Sequence, residues 1–188
     1  MSEGSVMTVG EAQITQLDGL RQLMATQHPV FDEICRELAR AFHVRETEIA
    51  LLCAHGTVLK FVFPAELKQA GSIPISGSAI AARTALTRKP EFFNNFVKVR
   101  HVGIFESIRF KDGDHEAVGP HLIQKLMSAP IINEEGTVWG IVQVSRKGCD
   151  PKLAGPDFTR DDLQQLIEVA KVIGSSPMAN VSAESASA

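Results

Sequence analysis

The sequence predicts an α+β domain: a mixed antiparallel sheet with helices packed against it. Three observations carry that expectation. An apolar stripe at helical spacing lies early in the chain, alternating runs paired by tight turns fill the middle, and a sharply punctuated helix closes it. A length of 188 residues fits one ordinary domain. With 44% apolar and 22% charged residues, the chain can bury a core without metals or disulfides.

The elements follow in order. Ile14, Leu17 and Met24 give a first helix over residues 14–26, weakened by Gly19, and His28-Pro29 breaks it. Phe31, Ile34, Cys35, Leu38 and Phe42 share one stripe of a second helix over 30–42. Residues 48–54 and 58–63 read as strands joined at His55-Gly56, and Pro64 ends the second. A short strand at 72–75 leads to Ser76 and Ser78, which are candidate caps for a helix reaching Leu86. Residues 91–94 are extended, and 96–110 have helical apolar spacing. Residues 123–132 and 138–146 form a hairpin around 133–136, with Val138, Gly140, Val142 and Val144 on one face and Trp139, Ile141, Gln143 and Ser145 on the other. Thr159 caps the last helix, Asp161 and Asp162 sit in its positive first turn, and Gly174 ends it. Its stripe is Leu163, Leu166, Ile167, Ala170 and Ile173. Composition sets the limits: disordered ends at 1–12 and 175–188, and a folded domain at 13–174.

Several function classes fit poorly. A net charge of −3 argues against nucleic acid as a partner. The apolar runs fall short of the ~20 residues that span a bilayer, and residues 1–10 show no secretory pattern, so no membrane partner and a cytoplasmic location are expected. Cys35, Cys53 and Cys149 lack the paired spacing of a zinc or redox site. The six histidines show no paired-ligand spacing, and His115-Glu116 with His121 reads as a polar connection, so no metal is expected.

Four segments, taken together, resemble the GAF domain, a small-molecule-binding regulatory fold. They are residues 73–82 with 87–90 ahead of Asn94-Asn95; Ser128 to Ile131; the 133–136 turn with the strand at 138–144; and Phe158 to Leu163. The resemblance covers about residues 14–174. It implies a central antiparallel sheet of about six strands, with terminal helices on one face and a ligand pocket roofed by helices on the other.

The roof would be residues 94–110, whose stripe of Val97, His101, Ile104, Phe105 and Ile108 faces the sheet. With Asn94, Phe96 and Ser128 from the matched segments, the candidate ligand-binding set is Asn94, Phe96, Val97, His101, Phe105, Ile108 and Ser128. Cyclic-nucleotide-binding relatives carry a motif of which Ser145-Arg146, Phe158 and Asp162-Leu163 keep only part. No cysteine lies between residues 54 and 148, so a covalent bilin is not expected. The related free methionine sulfoxide reductases need pocket cysteines, and the same gap argues against an enzyme. The expected function is a stand-alone sensor whose small-molecule ligand is unidentified, signalling to a protein effector. The alternative is a ligand-free module forming a homodimer through its terminal helices.

Overall fold

The structure, a computed structural model, describes residues 31–69, 71–96, 122–177 and 179. The expected helix at 14–26, the expected helix at 96–110 after Phe96, and the N-terminal segment 1–12 lie outside the described residues.

Helix α1 (Phe31–Ala41) forms on the expected stripe, with Ile34, Cys35 and Leu38 buried and Phe42 continuing it. His43 then turns left-handed, at φ 50°, and ends the helix. Strands β1 (Ile49–His55) and β2 (Val58–Phe63) form a hairpin that closes through Gly56 at φ 59°. After β3 (Ser72–Pro74) comes α2 (Ile80–Thr87). Ala79 holds the cap position of α2 and makes no side-chain cap bond, so Ser76 and Ser78 do not play the expected role. Strand β4 (Glu91–Phe93) precedes the long hairpin of β5 (Leu122–Ile132) and β6 (Val138–Gly148). The side chain of Asn133 ties its turn, accepting from Thr137 N at 2.8 Å.

Helix α3 (Arg160–Gly174) starts with a full capping box. Thr159 Oγ1 accepts from Asp162 N at 3.1 Å, and the Asp162 carboxylate accepts from Thr159 N at 2.7 Å. The buried stripe is Leu166, Val169, Ala170 and Ile173, so it is turned from expectation: Val169 enters and Ile167 stays at the boundary.

The six strands form one antiparallel sheet in the order β3-β2-β1-β6-β5-β4. Helices α1 and α3 cover one face, packing Ile34, Leu38, Leu166 and Ile173 on Ile49, Leu51, Met127, Ala129 and Val142. Helix α2 covers the other, setting Ala81, Ala82 and Ala85 on Ala50, Leu52, Leu59 and Ile141. The expected arrangement of a two-faced α+β sheet therefore holds.

Two expectations change. Trp139 and Val138 do not alternate as a regular strand requires. Ile131 pairs with Gly140 and Ile132 with Val138, leaving Trp139 as the extra residue of a bulge. Trp139 therefore joins the α1/α3 face, stacked 6.3 Å from Phe31, while Val138 packs on the α2 face. The chain also stays packed past residue 174. Ser176 is buried and its hydroxyl donates to Ile173 O at 2.6 Å, and Ala179 is buried as well, in the stretch where composition predicts a disordered tail.

Beside the bulge, Gly140 faces Cys53 across the β1–β6 pair. A Cβ there would lie 2.3 Å from Leu52 O. Gly140→Ala is expected to cost about 1–3 kcal/mol through forced separation of the strands. A urea midpoint equal to that of the wild type would contradict this close approach.

Candidate functional site

The α2-side face of the sheet is mostly apolar; Ser145, paired with Leu126, is tied to Glu48 O, and one further polar row crosses the face. Glu91 on β4 pairs with Ser128 on β5, Ser128 with Gln143 on β6, and Gln143 with Ala50 on β1. Above and below the row lie Leu126, Ile141 and Leu52. A polar strip in so dry a place needs internal partners, and α2 supplies them. Ser128 Oγ lies 2.8 Å from Thr84 Oγ1, and Gln143 Nε2 donates to Ser128 Oγ at 3.2 Å. Thr84 Oγ1 donates in turn to Ile80 O at 2.9 Å. At the β4 end, Arg83 grips Glu91 with two bonds of 2.9 and 2.6 Å, and its guanidinium lies 5.3 Å from the Phe93 ring.

The expected site residues separate on this frame. Ser128 sits in the strip and is fully buried. Phe96 is buried beside it, meeting Phe93 edge-on at 6.2 Å in a cluster with Ile80, Ile123 and Leu126. Asn94 is held by backbone: Nδ2 donates to Phe158 O at 2.9 Å, and Oδ1 accepts from Phe158 N at 2.8 Å. It latches the end of β4 to the entry of α3, and its amide is engaged on both sides. Val97, His101, Phe105 and Ile108 lie outside the described residues, as do His115, Glu116 and His121. Gln143 and Thr84 were not among the expected site residues. Gln143 was visible only as a polar residue in an apolar strand, and nothing in the sequence pointed to Thr84.

Other chemistry lies elsewhere. Arg146 covers the Phe158 ring at 4.8 Å and donates to Phe42 O at 3.3 Å, on the α1/α3 side. Burial lowers its pKa, with Glu48 and Asp162 pulling the other way. Within the partial nucleotide motif, Arg146 and Phe158 pack on each other behind the sheet and Asp162 caps α3. A groove of about 710 Å³ opens beside α1, lined by Arg36, Arg40, His43, Arg45 and Glu46. Its three arginines each face a carboxylate: Arg36 Glu46 at 3.9 Å, Arg45 Glu48 at 3.0 Å, and Arg40 Glu37. The groove therefore offers an anion little unpaired charge. Among the described residues, no helix is long and apolar enough to cross a membrane.

The model of the GAF domain family matches residues 27–176, well over half of the chain. The chain belongs to the GAF domain family. Members of this family are typically regulatory domains that bind small molecules. No protein of curated function matches the chain. Solved GAF structures superpose well at low identity. The GAF domain of an Acinetobacter phosphoenolpyruvate-protein phosphotransferase is 12% identical, with a TM-score of 0.66 over 97% of this chain and 99% of that one. The free methionine-R-sulfoxide reductase of Neisseria meningitidis, in complex with its substrate, is 14% identical, with a TM-score of 0.62 over 97% and 98%. A similar reductase structure comes from Staphylococcus aureus, 14% identical with a TM-score of 0.54 over 86% and 92%.

These reductases correct the expectation that this GAF chain is not an enzyme, because the scaffold it shares with them also carries catalysis. That expectation rested on a stretch without cysteine, and the absence of one nucleophile type does not decide what a pocket can do.

The thiols differ sharply. Burial pushes Cys53 from 9.0 up to about 12. Cys35 is raised as well, by burial first and then by Asp32 and Glu46. Cys149 is exposed. Iodoacetamide at about pH 8 is expected to label Cys149 in the native protein and all three thiols only in urea, since thiolate is the reactive form. Because both buried thiols are raised, the stability tied to their neutral form is complete below about pH 9 and lost as pH climbs toward 12. A urea midpoint that falls across this alkaline range, and falls less in Cys53→Ala, is the expected result. Asn94→Ala should cost about 1–3 kcal/mol by stranding two backbone groups, and an unchanged thermal midpoint would remove the latch.

Proposed function

We propose that this GAF domain is a regulatory module that binds a small molecule on the α2 side of its sheet, beside Ser128 and Gln143. The observation that carries this reading is the hydrogen-bonded strip of Gln143, Ser128 and Thr84 on a mostly apolar face. Apolar walls with a few placed polar groups are the ordinary composition of a ligand site. In this reading Phe96 and the expected roof residues Val97, Phe105 and Ile108 would supply apolar walls, and His101 one imidazole. Because α1 and α3 pack on the back of the same strands, a shift at the strip is passed to them, and from them to a protein effector.

One feature supports a second reading, association between copies through the terminal helices. Ile167 and Leu163 on α3 remain only partly covered. Light scattering at micromolar concentration tests it, and a monomer would count against it.

The small-molecule reading is tested by native mass spectrometry of the gently purified protein, paired with thermal unfolding against a metabolite library. The expected outcome is an adduct lost on denaturation, or a compound that raises the midpoint. At 100 times its Kd a ligand adds about 2.7 kcal/mol, or roughly 5–11 °C for a domain of this size. No adduct and no stabilising compound would sink the reading.

A further inference from the structure

The direction of the hydrogen bonds in the strip can be worked out. Thr84 has one hydroxyl proton, and it goes to Ile80 O. At the 2.8 Å contact between Thr84 and Ser128, Ser128 must therefore be the donor. Its oxygen can then only accept from Gln143, which fixes the carboxamide with Nε2 toward Ser128. The relay runs from Gln143 to Ser128 to Thr84 to the first turn of α2. It leaves the Gln143 oxygen and one N–H beyond the strip. Among the described residues, neither has a partner.

Gln143 is 7% exposed against 0% for Ser128 and Thr84, so it is the member of the relay that another molecule can reach. The open oxygen and N–H of Gln143 lie at the edge of the buried strip, where a ligand can take the place of water. The flanking positions Ala50, Leu52, Ile141 and Leu126 carry no charge. The strip's one charged pair, Arg83 with Glu91, is already mutually satisfied. A charged ligand group at Gln143 would lose water and gain no counter-charge.

We propose that Gln143 is the specificity-determining residue of this face, and that it recognises an uncharged ligand presenting adjacent hydrogen-bond donor and acceptor groups, the edge of a lactam or a carboxamide. Ser128 and Thr84 act as positioning residues by locking the amide in one orientation. The inference rests on the reading of this face as the ligand site, and its test separates the two.

The probes are 2-pyridone, whose ring carries adjacent N–H and C=O groups, and N-methyl-2-pyridone, which keeps the shape and loses the donor. Binding is followed by chemical-shift changes in ¹⁵N-labelled protein, including the Gln143 side-chain amide. The expected result is binding of 2-pyridone on the α2 face at least about tenfold tighter than its methyl analogue, with the preference abolished in Gln143→Met. Ser128→Ala is expected to reduce the preference without abolishing binding, because the freed amide can then rotate. Equal binding of both probes at this face overturns the role of Gln143 and leaves the site. Shifts confined to other surfaces, or none for either probe, overturn both. Thermal midpoints of the variants close to that of the wild type keep a folding defect from passing as lost recognition.

Discussion

Strands β1, β5 and β6 are buried on both faces along most of their length. A polar side chain there has no water to fall back on, and the chain must satisfy it internally. The placement of polar residues follows from that demand. Ser145 donates to Glu48 O, Lys147 reaches Thr47 O, and Lys125 reaches Gly155 O and Asp157. Each of these ties a strand to a loop and is complete in itself. The Ser128–Gln143 row differs, because its bonds run toward helix α2 rather than to a loop. The same constraint that makes most buried polar groups structural makes this one informative.

Much of the architecture was legible because it depends on periodicity and punctuation. The α1 stripe, the two hairpins and the Thr159–Asp162 cap all rest on interactions within a few residues, and sequence spacing reports those directly. The errors came where long-range contacts decide. Ser76 and Ser78 have the right chemistry to cap a helix, but α2 starts at Ile80, where its alanines reach the sheet. Ile167 has the right spacing for the core, yet the tilt of α3 puts Val169 there instead. A bulge leaves no mark on an alternating pattern, so Trp139 was placed with Ile141 when its stacking with Phe31 puts it opposite.

The candidate site was legible only in part, for a related reason. Asn94 was singled out by its place in a segment resembling the GAF family, and the structure gives it a partner 64 residues away in Phe158. Ser128 was marked only by the family resemblance and Gln143 not at all, since their pairing comes from facing each other across β5 and β6 under Thr84. No local pattern encodes which three residues on three elements will meet.

The bulge at Trp139 also bears on how the two faces communicate. Residues 139 and 143 are four apart, so in a regular strand they would point the same way. The extra residue lets Trp139 stack on α1 while Gln143 stays under α2, both on one continuous strand. Gly140 sits between them, too close to Leu52 O for any side chain, so the strands cannot slip there without separating. Gln143 and the ring that packs on α1 are therefore joined by a few residues of close-packed strand. Strand β6 is thus the element on which the α1/α3 face and the α2 face both pack, with the bulge at Trp139 setting which side chain goes to which face.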